Sequence, residues 1–376
     1  MAKKIGIEAQ RLFRTNKHGV EVVCLELLRE IQQIQTTNEY VVFVKDDLDH
    51  CLDSNSFCQV KLLPPRPFPI WEQYLLPAEA RKLGLNLLHC TGNTAPIKHD
   101  MPLLLTLHDI IFFEDKSFSG TAYQNWGNLY RRWIVPRVIP KCQSILTVSH
   151  FEKQRIMDFF KLPDDLVNVI YNGVSREFKP QPKEAAELIR KKYDLPESFI
   201  LFFGNKHPKK NTAGVLKSYK RYLEDQGENA IPIVITDCER SYVEGLLRGM
   251  NLKNAERNIL TRPYIPYKDM PSLYNLATLF LYPSLREAFG LPILESMACG
   301  TPVITATNSS MPEIAGDAAV LADANDHLEI ADAIERLLGN RELFESKKAQ
   351  GIIRAERFNW NSTAHEVIAQ YERLTG

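Results

Sequence analysis

An excess of either charge sign is missing from this sequence. Its 376 residues carry 46 Lys plus Arg and 46 Asp plus Glu, a formal net charge of zero. That argues against a nucleic-acid partner held by bulk positive charge and makes any anion site local. Paired cysteines are missing too. Cys24, Cys51, Cys58, Cys90, Cys142, Cys238 and Cys299 are odd in number, scattered, and never in CxxC or zinc-finger spacing, which fits a reducing compartment. No stretch approaches the ~18 uninterrupted apolar residues of a membrane span. The start, Met1-Ala-Lys-Lys-Ile-Gly-Ile-Glu8, breaks its short apolar run at a glutamate, so it offers no secretory h-region and a cytoplasmic protein is expected. Repeats and low-complexity tracts are absent. What remains is an ordinary globular composition, 44% hydrophobic and 24% charged, over a length that at roughly 150 residues per domain gives two or three units.

Strand-like and helix-like patterns alternate along the chain. An opening strand, Lys4-Ile-Gly-Ile-Glu, is followed by Gly19 and a stretch in which Val23, Leu27, Ile31 and Ile34 recur at helical spacing. Further strands are expected near residues 40–44, 85–89, 103–107 and 144–148. The pattern restarts at Phe199-Ile-Leu-Phe-Phe-Gly204 and continues near 231–236, 279–282 and 302–306, four buried parallel strands in the second half. Phe178-Lys-Pro-Gln-Pro-Lys-Glu, rich in proline and charge, is read as an exposed hinge, with the boundary near residue 176. Ala364, Val367, Ile368 and Tyr371 place a docked helix at the end. Alternation of this kind predicts α/β layers, and two doubly wound domains would gather the carboxyl ends of two sheets around a crevice suited to ligands.

The densest chemical signal is Ser284-Leu-Arg-Glu-Ala-Phe-Gly-Leu-Pro-Ile-Leu-Glu-Ser-Met-Ala-Cys-Gly-Thr-Pro-Val-Ile. Pro292 and Gly300 suit the start and end of a short helix over 291–299. Amides around Phe289, Gly290 and Leu291 would then be available to a phosphate. Glu287 precedes the helix and Glu295 lies one turn inside it. Either both carboxylates accept hydrogen bonds from neutral hydroxyls of a sugar or ribose, or they are incidental acids on a surface loop. Lys209 and Lys210, after the strand ending at Gly204, could neutralise a leaving diphosphate or form a solvated basic loop. His108 closes Pro102-Leu-Leu-Leu-Thr-Leu-His-Asp at a strand's carboxyl end, and His89 has a similar setting, structural or near an acceptor. Tyr130-Arg-Arg-Trp-Ile-Val-Pro-Arg-Val-Ile-Pro-Lys141 and 64–74 mix aromatics, prolines and cations, suited to a lipid-linked acceptor or a bilayer surface, or to packing with snorkelling arginines.

Glu287-Ala-Phe-Gly-Leu-Pro-Ile-Leu-Glu295 also resembles the EX7E signature of retaining GT-B glycosyltransferases of the glycosyltransferase 4 family, followed by Ala298-Cys-Gly-Thr-Pro-Val. His108-Asp109, Ser149-His-Phe-Glu, Asn172-Gly-Val with Phe178, Gly204 through Pro208-Lys-Lys-Asn211, and Met311-Pro-Glu-Ile-Ala-Gly316 match in order over nearly the whole chain. The resemblance implies a GT-B architecture of two Rossmann-like doubly wound domains with an interdomain cleft. Residues 1–175 would bind the acceptor, with the helix 361–376 packing back onto them, and residues 176–360 the nucleotide-sugar. The implied activity is transfer of a hexosyl group, mannosyl or glucosyl, from a UDP- or GDP-linked donor to a saccharide or lipid-linked saccharide, in cell-surface polysaccharide or glycolipid synthesis at the inner face of the membrane.

In that scheme Lys210 holds the donor phosphates and Glu287 and the following amides orient the sugar. Glu295 holds the ribose, and His108 bonds the donor sugar. Gly19, Gly204, Asn205, Phe289, Gly290 and Leu291 complete the donor contacts. Many relatives carry arginine where Asn205 stands, so Lys206 or Lys209 would supply the second cation. Relatives also carry glycine where Glu21 stands, and a carboxylate there would repel a diphosphate unless turned away. Glu313 is read as a nearby loop acid. No DxD-type metal motif occurs at the site, so neither metal nor cofactor is expected. A sugar-nucleotide epimerase or hydrolase, or a non-catalytic GT-B scaffold subunit, are the alternatives.

Overall fold

The computed structural model describes residues 2–15, 17, 19–114, 122–250 and 257–376. It divides into two units, Met1–Gly173 with Trp360–Gly376, and Val174–Asn359. The first is built on β1 (Lys4–Glu8), β2 (Glu39–Lys45), β3 (Cys58–Leu63), β4 (Leu87–Cys90), β5 (Leu103–Thr106), β6 (Ser144–Thr147) and β7 (Val167–Val169), in the order β3-β2-β1-β4-β5-β6-β7. Every pairing is parallel. The central strands are Val, Ile and Leu runs buried on both faces, as a parallel sheet covered by helices requires. On one face the Gly19–Ile31 helix buries Cys24, Leu25, Leu27, Leu28 and Ile31. The Trp360–Thr375 helix joins the same cluster through Trp360, Ala364, Val367, Ile368 and Tyr371. The C-terminal helix is therefore part of the first unit's core.

The second unit carries β8 (Ile200–Phe203), β9 (Ile233–Thr236), β10 (Ile259–Thr261), β11 (Leu279–Tyr282), β12 (Val303–Ala306) and β13 (Val320–Ala322), ordered β10-β9-β8-β11-β12-β13, again all parallel. Two Rossmann-like sheets make this a two-domain GT-B fold.

One expectation needs correction. The second sheet has six strands, not four, and the first has seven, not five: β3, β7, β10 and β13 are all edge strands. Gln59 and Lys61 interrupt β3 and Asn168 interrupts β7, while β10 and β13 are only three residues long, so none shows the longer apolar run of a central strand. The segment read as an exposed hinge is exposed at Lys179, Pro180, Pro182 and Glu184, and it is anchored at its ends. Phe178 is buried edge-on against Tyr267 at 5.4 Å and Tyr274 at 5.9 Å. Asn275 fastens the backbone from both sides, accepting from Gln181 N–H at 2.9 Å and donating to the Lys179 carbonyl at 2.9 Å. The chain changes unit at Gly173, before those prolines.

Candidate functional site

The second unit's site starts at the carboxyl end of β11. Tyr282 ends the strand, and the following loop runs to Gly290, whose φ of 104° lies in the left-handed region that favours glycine. The helix Leu291–Ala298 begins there with Pro292 in its first turn and no side chain capping it. Ser310 Oγ donates to the carbonyls of Glu287, at 3.0 Å, and Phe289, at 2.9 Å; Ser309 Oγ accepts from Glu287 N–H at 3.0 Å. The loop is held open in one shape by hydroxyls from the segment after β12.

Lys210 reaches this loop from the turn after β8. Its Nζ donates to Glu287 Oε1 at 2.7 Å and to Tyr282 Oη at 2.8 Å, and lies 4.7 Å from the centre of the Tyr282 ring. Burial pushes the Glu287 carboxyl up, but the charges of Lys210 and Lys209 and the bonds from Lys210 and Ser284 outweigh it, so the group stays ionised below its ordinary range. An ammonium has three N–H donors. With two committed, the third remains for an oxyanion.

Glu295 sits one turn into the helix, 6% exposed. Tyr274 Oη donates to its Oε2 at 3.0 Å and Tyr267 Oη to its Oε1 at 3.3 Å. Burial drives its pKa up to about 7 despite both bonds, so near neutrality the carboxyl is poised between its two forms. Tyr267, Tyr274, Tyr282, Ser309 and Ser310 were not singled out in the sequence. Tyr282 had a usable signal, its place at a strand end directly before the acidic motif; the two tyrosines on Glu295 come from elsewhere in the chain and had none.

The other donor-side residues play mixed parts. A Cβ on Gly204 would lie 2.7 Å from Ile235 Cγ2 and 2.9 Å from Cys238 Cβ, so close packing alone demands glycine. Asn205 shapes the loop: its Oδ1 accepts from His207 N–H at 2.9 Å, and its N–H donates to Thr212 Oγ1 at 3.1 Å. Lys206 is paired with Glu239 at 2.8 Å. Lys209 is close enough for its charge to act on Glu287. Glu313 lies in the first turn of Met311–Ala315, its carbonyl accepting from Arg354 at 2.6 Å.

His108 and Gly19 belong to the first unit. Burial keeps His108 below the ordinary histidine range, hence neutral. Its Nε2 faces the Thr91 carbonyl at 2.9 Å and must carry the proton, which leaves Nδ1 as an acceptor. His89 is structural: it bridges Tyr371 Oη at 2.8 Å and Thr106 Oγ1 at 2.7 Å in full burial, with its pKa pushed down to about 3. Gly19 opens its helix at the surface. Glu21, two residues on, is buried with the guanidinium groups of Arg14 at 3.7 Å and Arg11 at 3.9 Å, so its charge is compensated. Among the described residues no three His, Cys, Asp or Glu side chains are grouped as a metal site would need, and no helix is long and apolar enough to cross a membrane.

Residues 185–355 match the model of glycosyl transferases group 1, and residues 17–178 that of glycosyltransferase family 4. The chain belongs to the glycosyltransferase 4 family. It is 32% identical to the O-antigen chain mannosyltransferase B of Escherichia coli over 231 residues, 61% of this chain and 60% of that protein. It is 28% identical to the serotype-specific mannosyltransferase WbdA of Escherichia coli over 240 residues, 62% of this chain and 29% of that one. The chain thus spans less than two thirds of the length of these relatives. Sucrose-phosphate synthase of Thermosynechococcus elongatus superposes with a TM-score of 0.74 at 19% identity, covering 99% of both chains. Anabaena HepE, in complex with UDP and glucose, does so with 0.73 at 17%, covering 99% of this chain and 100% of that one. At such identities the likeness is one of fold.

Proposed function

We propose that this glycosyltransferase 4 family protein transfers a hexosyl group from a nucleotide-diphosphate sugar to a saccharide hydroxyl, with retention at the anomeric carbon, in the assembly of a cell-surface polysaccharide. The observation that carries the reading is the Lys210–Glu287 pair in the loop before the uncapped Leu291–Ala298 helix, with Glu295 one turn along. A lysine, a second cation at Lys209 and a helix start suit a diphosphate; a buried carboxylate suits ribose hydroxyls. Glu287 orients Lys210 as the leaving phosphate gains charge, and the neutral His108 accepts a bond from the donor sugar. The O-antigen mannosyltransferases among the relatives favour mannose and hence a GDP-linked donor over a UDP-linked one.

The second unit takes the donor and the first the acceptor. Ile70, Tyr74, Trp126 and Trp133 are about half exposed or more on the first unit, with Arg137 lying 4.7 Å from the centre of the Trp133 ring. Aromatics beside cations suit an anionic bilayer surface, where a lipid-linked acceptor would be met. The lysines and helix amides carry the charge neutralisation, so transfer should persist in EDTA; loss on chelation, restored by Mg²⁺ or Mn²⁺, refutes that. The deciding experiment is a thermal-shift panel of UDP-, GDP- and ADP-sugars on the whole chain, since a ligand of the native state raises its stability. Sugar release and the anomer formed are then read by NMR without and with acceptor. An epimerised donor in the absence of acceptor, or no response to any nucleotide, overturns the reading.

A further inference from the structure

The loop that carries Glu287 runs from Tyr282, at the end of β11, to Gly290 before the next helix, so neither element fixes its middle. Its shape must come from neighbours. One rung is at Leu285, whose N–H donates to the Lys209 carbonyl at 2.7 Å while its carbonyl accepts from Asn308 Nδ2 at 2.6 Å. The loop is thereby laced to the turn after β8 on one side and to the segment after β12 on the other. A second rung is at Glu287 itself. Ser309 Oγ accepts the Glu287 N–H at 3.0 Å and donates to the Glu287 carbonyl at 2.5 Å. It also accepts from Arg286 Nη1 at 3.3 Å, and that guanidinium nitrogen donates to the same carbonyl at 3.0 Å. A hydroxyl has one proton to give and two lone pairs to receive. At Ser309 all three go to residues 286 and 287.

The backbone of Ser309 is the second observation. Its φ of 62° lies in the left-handed region, where a Cβ crowds the following carbonyl and where glycine sits without that penalty. A side chain is therefore kept at a position where the backbone alone would favour none, and strain retained in this way points to a use for the side chain. Ser310, at an ordinary φ of −78°, adds one bond to the Glu287 carbonyl at 3.0 Å. The Ser309 hydroxyl grips both the N–H and the carbonyl of Glu287, the two backbone groups that flank the carbon from which the carboxylate projects. That carboxylate accepts from Lys210 Nζ at 2.7 Å, and Lys210 donates a second bond to Tyr282 Oη at 2.8 Å. The direction left for the third N–H of the ammonium therefore depends on where Ser309 holds residue 287.

We propose that Ser309 is a positioning residue: by bonding both backbone groups of Glu287, its hydroxyl fixes the carboxylate that aims Lys210 at the leaving diphosphate. This rests on the transferase reading above. Two variants of the whole chain separate the hydroxyl from the fold. Ser309→Gly removes the hydroxyl and relieves the backbone; Ser309→Ala removes the hydroxyl and keeps the left-handed strain, so its unfolding midpoint should lie a few degrees below that of Ser309→Gly. In both, the Glu287 amide, followed by NMR hydrogen exchange without ligand, should exchange about tenfold or more faster than in wild type. Sugar release from GDP-mannose and UDP-glucose, with methyl α-D-mannoside as acceptor, should show kcat lowered about tenfold or more in both variants and donor KM within about threefold, because a misplaced Lys210 loses most where charge develops. A kcat loss that follows the unfolding midpoint, large in Ser309→Ala and small in Ser309→Gly, makes Ser309 structural only. Unchanged exchange at Glu287, or a kcat within about twofold of wild type in Ser309→Gly, also overturns the role. A wild type that releases sugar from neither donor overturns the transferase reading, and the role of Ser309 in it, while the exchange result stands apart, so the two failures are told apart.

Discussion

At the scale of single residues, Lys210 and Glu295 should part company kinetically. Lys210 faces charge that grows as the diphosphate leaves, so Lys210→Ala should lower kcat by roughly 10²-fold or more. Glu295 would hold ribose hydroxyls that do not change during the reaction, so Glu295→Gln should mainly raise donor KM. Equal, purely KM effects would make Lys210 a binding residue only. Glu295 carries a pH signature as well. Its carboxyl titrates at about 7 in the ligand-free chain, yet accepting two hydroxyls requires the ionised form. Donor KM should therefore rise below about pH 7, by up to about tenfold per unit, and this slope should vanish in Glu295→Gln. A wild-type KM that is flat from pH 5.5 to 8 contradicts the role.

At the scale of elements, the π-helical turn Trp71–Leu75 bears a cost that can be measured. Glu72 is buried with a pKa raised to about 7 from an ordinary 4.5. Below 4.5 it is protonated in both folded and unfolded chains. Between 4.5 and 7 the folded chain holds a proton that the unfolded chain has released, so stability falls as pH rises through this window and levels off above it. The whole loss is on the order of 3 kcal/mol. Glu72→Gln cannot titrate, and its unfolding midpoint relative to wild type should climb between pH 4.5 and 7. A difference that does not change with pH would mean that Glu72 is ionised in the folded chain throughout. The Leu291–Ala298 helix was legible beforehand, because Pro292 and Gly300 bracket it and Glu287 and Glu295 flank its start. The π-helical turn Trp71–Leu75 was not, and the partners of its Glu72, Thr94 and Tyr130, lie too far along the chain to leave a local pattern.

At the scale of the whole molecule, the two units differ in how their sequence is assembled. The second is one continuous stretch, Val174–Asn359; the first needs residues from both ends of the chain. A fragment of residues 174–359 should fold and bind a nucleoside diphosphate, as seen by calorimetry. A fragment of residues 1–173 should not fold, because without Trp360, Ala364, Val367, Ile368 and Tyr371 one sheet face stays uncovered and His89 loses its Tyr371 partner. A folded 174–359 fragment without nucleotide affinity would contradict the assignment of the donor to that unit.

Sequence alone determined the parallel α/β character, the central strands, the final helix and the residues of the acidic motif, because each is written in a local run: buried strands as unbroken apolar stretches, helices as three- and four-residue spacing, the motif as nine consecutive positions. Tertiary structure decided what depends on partners far along the chain. The edge strands β3, β7, β10 and β13 are strands because a neighbour offers them a ladder, not because their side chains alternate cleanly. The proline-rich segment at 178–184 is exposed as its composition suggests, but its anchoring by Tyr267, Tyr274 and Asn275 is not visible until those residues are brought to it. Glu21 looks repulsive until Arg11 and Arg14 fold over it, and Glu295 becomes a group that titrates near 7 only when the surrounding protein removes it from water.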